Sequence, residues 1–553
     1  MIKKVLNGEI LNMETKSISL ASFILAGAYL ISAFLGILRD HFLAKTFGAG
    51  DELDIYYTAF RIPDFITTVL IMGSISAAIV PIFSDYLTRS KNEAWEFLSN
   101  LINLFLFLLF IICFILFFLA PFIIAFIAPG FSSKKRELVV ILTRIMFLSP
   151  IILGISNIIS GVLSVFKRFL VIALAPIMYN IGIILGIVFL VPVFGIKGLA
   201  YGVILGALIH FLVQYPVIIK LGFRHKKIFN FLHQGFLKML ILTLPRTIGL
   251  IASQINLIVI TAIGSTLISG SIAVINLANN IQNLPITFIA ISFSSAIFPF
   301  LAVYFAKQDK KAFIEEFSLM FRQIIFLLIP ISIIMFLLRA QIVRIVLGRG
   351  NFDWVDTRLT AACLGVFSFS ILAYGLSIFI SKVFYSMHNT KIPAIISVIT
   401  VILNIIFCFL FIWLLSFENL FYSFWANFLK ISDLKNIVLV GLPLAFSVAG
   451  IFQLFFYLLF LYKTIGDFKI KEILFSLKIV IISALIMAFS VYFSLKFFSL
   501  LFNMQNFLGV FIQGLFSGSI GIFIYIFTSF LLKSPEIKIF KSYLVKAISK
   551  ING

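Results

Sequence analysis

Charge is scarce in this sequence. Only 12% of its 553 residues are Asp, Glu, Lys or Arg, while 62% are hydrophobic and mean hydropathy is +1.17; an average soluble domain carries about 25% charged residues. That balance excludes a soluble enzyme, a disordered chain and a fibre. Proline is sparse too, 15 residues beside 68 Phe, so the apolar residues lie in long, largely unbroken segments, as they do when lipid is the solvent. Cys113, Cys363 and Cys408 stand far apart inside apolar stretches, which excludes a disulfide framework or a metal set and leaves them as small hydrophobes. His41, His210, His225, His233 and His388 show no metal-ligand spacing, and no Gly-rich loop suited to phosphates is present, so neither metal chemistry nor ATP hydrolysis is indicated and no cofactor is expected. No small-residue cleavage site follows the polar stretch through Lys16; the first apolar run is expected to act as its own signal.

What is abundant is the long apolar run. About 20 apolar residues suffice to cross a hydrocarbon core of about 30 Å. Such runs centre near Gly27, Val69, Leu109, Ile152, Ile181, Ile204, Ile251, Phe288, Leu327, Phe369, Ile402, Phe452, Ile482 and Ile520, which predicts an all-α polytopic membrane protein of about fourteen transmembrane helices. The second, ninth and tenth runs carry polar residues. Because the runs are continuous rather than alternating, a membrane β-barrel is excluded.

Lys and Arg set the orientation. Alternate connections hold Lys3, Lys4, Arg89, Lys91, Lys167, Arg168, Lys220, Arg224, Lys226, Lys227, Lys307, Lys310, Lys311, Lys391, Lys463, Lys469, Lys471 and the tail from Lys533 to Lys550. That is roughly two dozen cations against about ten on the other side, so the positive-inside rule places both termini in the cytoplasm. Lys134, Lys135 and Arg136 run against it. The net charge of +22 points to anionic lipid headgroups rather than nucleic acid.

Small residues recur at helix-packing spacing in Gly182 and Gly186, in Gly198, Gly202 and Gly206, and in Gly514 and Gly518; close helix contact is the expected reason. An internal repeat is also visible. Ser74-Ile-Ser-Ala-Ala-Ile-Val-Pro81 aligns without gaps on Ser292-Phe-Ser-Ser-Ala-Ile-Phe-Pro299, and Tyr86 then falls on Tyr304. These segments are the second and eighth spans, so an even number of helices separates them and the two halves keep one orientation. Two parallel lobes around a central cavity are the expected result, an architecture that suits a carrier opening alternately to each side.

An ionised side chain at the centre of a spanning helix costs roughly 2.5 to 3.5 kcal/mol even on the mildest scale, so each is a candidate for function. Arg39 and Asp40 come near the end of the first span; adjacent helical residues do not face each other, so each is expected to find another partner. Arg61 and Asp64 are close enough to pair on one face of the second span. Arg144, Arg246 and Lys382 are isolated cations in apolar runs, where snorkelling to the interface is the structural alternative. Guanidinium groups bind the oxygens of a multivalent anion such as a lipid-linked pyrophosphate with planar forks, so buried cations without matching carboxylates suggest an anionic substrate.

Gly36-Ile-Leu-Arg-Asp40, Phe47-Gly-Ala-Gly50, Asp54 and Ala59-Phe-Arg-Ile-Pro63 together resemble the opening of the MurJ/MviN lipid II flippases, within the multidrug/oligosaccharidyl-lipid/polysaccharide exporter superfamily. The resemblance continues through Leu142-Thr-Arg-Ile-Met146, Ala175-Pro176 with Asn180, Ser253-Gln254-Ile255, Gly270-Ser271, Arg349-Gly-Asn-Phe352, Phe384-Tyr385 and Asn389-Thr-Lys-Ile-Pro393. It implies two lobes of about six helices plus a final pair forming a lipid-tail groove. On this chain that gives an N-terminal segment 1–18, lobes 19–222 and 223–465, two additional helices in 466–533 and a basic cytoplasmic tail 534–553. It also implies transport of an undecaprenyl-linked peptidoglycan precursor across the bacterial cytoplasmic membrane, with no bond made or broken, coupled to the membrane potential or to ions.

By motif alignment the family's cavity arginines fall on Ala33, Arg39, Thr67 and Asn280, so only Arg39 remains arginine. The glutamate of the second helix is Met72, and the Asp-Arg pair of the eighth reads Asn279-Asn280. Each lost charge-assisted contact removes roughly 1.5 to 3 kcal/mol if nothing replaces it. Three readings follow: Arg61, Arg144, Arg246 or Lys382 substitutes; Asn276, Asn279, Asn280 and Gln282 grip the headgroup through neutral hydrogen bonds; or the substrate is another polyprenyl-linked oligosaccharide or a drug-like molecule. A membrane glycosyltransferase using Asp51, Glu52 and Asp54 as metal ligands is the reading from a different class. The connection holding these acids is short and no large soluble domain follows, so a helix cap fits them better.

Overall fold

The computed structural model describes residues 18–72, 75–434, 437–504 and 506–537, and every element among them is helical. The predicted segment before Ile18, the tail beyond Ile537 and Ser74 of the repeat lie outside the described residues, as do the side chains of Met72, Ser76 and Arg246. The chain divides into two compact units, Met1–Ala273 and Val274–Gly553.

The first unit contains α1 (Ile18–Phe47), α2 (Asp51–Ile66), α3 (Ile75–Arg89), α4 (Lys91–Ile127), α5 (Ser133–Met146), α6 (Leu148–Val165), α7 (Phe169–Leu185), α8 (Val191–Phe194), α9 (Lys197–Lys220) and α10 (Gln234–Ser265). At the boundary α11 (Ser271–Pro285) begins. The second unit continues with α12 (Ser292–Ala306), α13 (Lys310–Leu337), α14 (Arg339–Val346), α15 (Trp354–Ser368), α16 (Ser370–Ser386), α17 (Lys391–Leu415), α18 (Leu420–Leu429), α19 (Gly441–Ile465), α20 (Ile470–Leu501) and α21 (Phe507–Leu531).

Among the described residues, ten helices or joined helix pairs are long and apolar enough to cross a bilayer, eleven counting α15 with α16, which meet at a 47° bend. They carry the predicted centres from Leu109 to Ile204 and from Phe288 to Ile520. Gly27, Val69 and Ile251 also lie on helical segments, whose apolar stretches include side chains outside the described set. The solvent these helices need is visible on α4, where Phe122 and Phe126 are 76% and 78% exposed; a bare phenylalanine ladder of this kind is stable against lipid, not water. The bend in the tenth span explains its polar residues. Ser368 Oγ donates to the Gly365 carbonyl at 2.6 Å and Ser370 Oγ to that of Phe367 at 2.7 Å, and serines bonding back to the preceding turn are a known cause of kinks.

The glycine spacing does what was expected of it. A Cβ on Gly182 would stand 2.3 Å from Gly206 Cα, and one on Gly186 would stand 2.3 Å from Gly202 Cα, so α7 and α9 touch backbone to backbone.

The repeat has a structural signature that its letters do not carry. In the second span a π-helical turn, Thr67–Met72, joins α2 towards α3; in the eighth, Ile286–Ile291 joins α11 to α12. Shifting the first turn along the chain by the separation of Ser74 and Ser292 lands within one residue of the second. Pro81 and Pro299 then sit at matching places inside α3 and α12. Such wide turns are rare and concentrate at functional sites.

Candidate functional site

Polar side chains meet inside the first unit. Arg39, near the end of α1, turns its guanidinium onto Asp40, with Nη2 at 2.9 Å and Nε at 3.1 Å from the same Oδ1. This overturns the expectation that the two would be satisfied elsewhere. Adjacent positions do diverge around a helix, but the arginine stem is long enough to double back along the surface and bring its fork to the neighbouring carboxylate. The Asp40 side chain is 6% exposed and that of Arg39 23%. Arg39 Nη1 also donates to Asn180 Oδ1 on α7 at 3.4 Å, and Asn180 Nδ2 donates to Ser32 Oγ on α1 at 3.3 Å. Asn180 belongs to the family-like motif; its link to Arg39 has no signal in the sequence.

Arg61 and Asp64 both reach α10. Arg61 Nε donates to Thr261 Oγ1 at 2.8 Å, and Asp64 Oδ2 accepts from Gln254 Nε2 at 3.4 Å. Tyr57 lies one turn before Arg61 on α2. Its buried hydroxyl has no hydrogen-bond partner among the described residues.

The remaining predicted residues lie elsewhere. Arg144 Nε donates to the Phe117 carbonyl of α4 at 3.0 Å and covers the Phe117 ring, the ordinary behaviour of a cation at a helix surface. In the second unit Lys382 Nζ donates to Ser295 Oγ at 2.6 Å. Asn279 Oδ1 accepts from Gln282 Nε2 at 3.0 Å, and Gln282 Oε1 lies 3.0 Å from Ser370 Oγ as the alternative acceptor for its one proton, which brings α11 against the bend of the tenth span. Asn280 is half-buried on α11.

Asp54 is buried and accepts from the amides of Gly270 and Ala273 at 2.8 and 2.9 Å; it caps the start of α11 as well as standing in the first turn of α2, as a carboxylate near helix N-termini should. A cap was expected; the helix it caps was not. Gly270 adopts φ +85, and a Cβ there would meet the Ala49 carbonyl oxygen, so only glycine lets the two connections approach this closely. Lys135 completes the cluster, with Nζ 2.6 Å from Asp51 Oδ1 and 3.3 Å from Asp54 Oδ2. Ser269 Oγ donates to Asp51 Oδ1 at 2.6 Å. Burial opposes the charge on Asp51, but the Lys135 and Ser269 hydrogen bonds outweigh it and hold the carboxyl below the usual range. Lys135, one of the three cations that run against the orientation pattern, is therefore paired with two carboxylates.

One polar network escaped the sequence reading. Ser156 Oγ lies 2.6 Å from His210 Nδ1, Gln214 Nε2 donates to Ser156 Oγ at 2.9 Å, and Ser160 Oγ donates to Gln214 Oε1 at 2.7 Å. Its signal is the matched four-residue spacing of Ser156/Ser160 on α6 and His210/Gln214 on α9, which joins the two helices in an apolar setting.

The fold is shared with an inward-facing multidrug resistance MATE family transporter of the MOP superfamily, with a TM-score of 0.62 at 14% identity over 81% of this chain and 99% of that one. This defines the class as a polytopic helical membrane protein of that superfamily's fold. Residues 43–512 match the lipid II flippase MurJ family, and the chain belongs to it. A solved lipid II flippase MurJ in an inward closed conformation gives a TM-score of 0.74 at 28% identity, over 92% of this chain and 98% of that one. The probable lipid II flippase MurJ of Buchnera aphidicola subsp. Schizaphis graminum is 30% identical over 85% of this chain and 88% of its own length. The lipid II flippase MurJ of Burkholderia cenocepacia is 26% identical over 71% and 78%.

Proposed function

We propose that this protein carries lipid II across the bacterial cytoplasmic membrane by alternating access, with both termini in the cytoplasm. The observation that carries the reading is Arg39. It is the one guanidinium kept at the family's cation positions, it is largely withdrawn from solvent, and Asn180 accepts a hydrogen bond from it. The pyrophosphate of the substrate takes the Arg39 fork, and Arg61 of the same unit adds a second cation. No bond is made or broken, and the polyprenyl tail stays in lipid beside α20 and α21.

The charges of this set balance: Arg39 and Arg61 against Asp40 and Asp64. An entering anion must compete with Asp40 for the fork. That competition weakens capture and quickens release, and a translocation site has to be left as easily as it is entered.

The test is reconstitution of the purified protein in liposomes with labelled lipid II. Translocation by the wild type that is lost in Arg39→Ala, with the protein still folded and inserted, is the expected result. A wild type that moves a different polyprenyl-linked oligosaccharide and neither binds nor moves lipid II would replace the substrate named here.

A further inference from the structure

The second unit holds a cationic cavity that the transport reading does not use. It has a volume of about 490 Å³, and Arg339, Arg358, Lys430 and Lys496 are among its lining residues. The ends of α13 and α20, the starts of α14, α15 and α21, and the end of α18 build it, so it lies at the helix ends opposite the C-terminal end of α21.

Its cations outnumber its carboxylates. Arg358 forks onto Asp433 and donates to the Lys430 carbonyl at 2.6 Å, which pins the turn after α18, where Lys430 adopts the left-handed conformation that ends the helix. The other three cations take part in none of the ion pairs found among the described residues. Arg339 donates to the Phe336 carbonyl at 2.8 Å and lies over the Phe336 ring; Gly365 makes room for its stem, since a Cβ there would stand 2.7 Å from Arg339 Cδ. Lys496 lies over the Tyr492 ring with Nζ 4.8 Å from its centroid. Lys430 is exposed at the rim. Gln341 and Gln513 bond to each other at 2.9 Å in the cavity wall.

An apolar path leads into this cavity. On α18, Leu420, Phe424 and Phe428 recur at four-residue spacing and are 91%, 57% and 41% exposed. Phe428 also lines the cavity and stacks on Phe336. A short helix with a bare apolar stripe that ends in cations is how a protein meets a lipid interface. Several cationic heads around one volume match an anion with several oxygens.

We propose that this cavity binds the phosphate headgroup of an anionic amphiphile, with its acyl chains lying along the α18 stripe. Placing the site on the outer leaflet rests on the orientation proposed above; the binding does not.

Binding of phosphatidylglycerol to the purified full-length protein in neutral detergent tests this, read by native mass spectrometry and by titration of a fluorescent analogue. Phosphatidylcholine and inorganic phosphate serve as comparison probes. The double substitution Lys430→Gln with Lys496→Gln is expected to weaken phosphatidylglycerol about tenfold or more, while Lys463→Gln at the end of α19 leaves it unchanged. Arg339→Gln is expected to act in the same direction, with thermal unfolding confirming that each variant is folded. Unchanged phosphatidylglycerol affinity in the folded double variant overturns the proposal. So does phosphatidylcholine binding equally well, or inorganic phosphate displacing the analogue at the concentration at which phosphatidylglycerol does. A protein that fails to move lipid II yet shows this selectivity leaves the site standing and removes only the transport reading.

Discussion

The Arg39 guanidinium is held by Asp40, the next residue in the chain, through two nitrogens on one carboxylate oxygen. A fork already occupied by its neighbour can be transferred to an arriving phosphate without a change in the total number of hydrogen bonds. Asp40→Asn removes the competing charge. Lipid II binding should tighten by roughly the value of a charge-assisted contact, about 1.5 kcal/mol or about tenfold, while turnover in liposomes falls because release slows. Arg39→Lys keeps the charge and loses the fork, and should retain only part of the wild-type rate.

Asn280→Arg restores the cation that the family places on α11. If pyrophosphate passes this helix, complementation of a flippase-depleted cell should be retained and lipid II affinity should rise. Loss of complementation by a well-inserted variant would count against Asn280 facing the substrate.

Gly186, just past the end of α7, touches Gly202 of α9, with no space for a Cβ on Gly186. Gly186→Leu should lower the unfolding temperature and the folded yield in detergent, at a cost of about 1 to 3 kcal/mol or more from overpacking. Gly27→Leu on α1, where nothing lies within 4 Å of an added Cβ, is the matched control and should leave both unchanged.

His233 caps α10 from outside the spans, accepting from the Gly235 amide at 3.2 Å, with Tyr86 and Phe97 against its ring. Burial lowers its pKa below the ordinary 6.5. The folded state thus disfavours the imidazolium, so the contribution is complete above the unfolded value and is lost as pH falls through the folded one. Thermal stability should decline between pH 7 and pH 5, and His233→Asn, which keeps a cap acceptor without the titration, should flatten that part of the profile.

Ten or eleven of the about fourteen predicted spans and the glycine contacts were legible because both are local: apolar length sets a crossing, and spacing places small residues on one face. Arg39 and Asp40 were legible as candidate residues but misread in their relation, because periodicity describes Cβ directions and not where a four-atom stem can return. Lys135, which with Lys134 and Arg136 runs against the orientation pattern, gives no sign in the sequence that it is paired. Its partners Asp51 and Asp54 lie some eighty residues earlier, and only the fold brings them together. The Ser156–His210 contact was hidden for the same reason, since neither helix alone shows what its polar ladder faces.

The π turns at Thr67–Met72 and Ile286–Ile291 have one more consequence. An extra residue accommodated in a helix rotates everything beyond it by roughly 100° relative to an unbroken spiral. Both repeats thus carry a phase shift partway along, and the faces of α3 and α12 are set by it. Shortening either turn by one amino acid would straighten the rod and swing its far half to the wrong neighbours, so the chain should tolerate many substitutions there but not the loss of a single position.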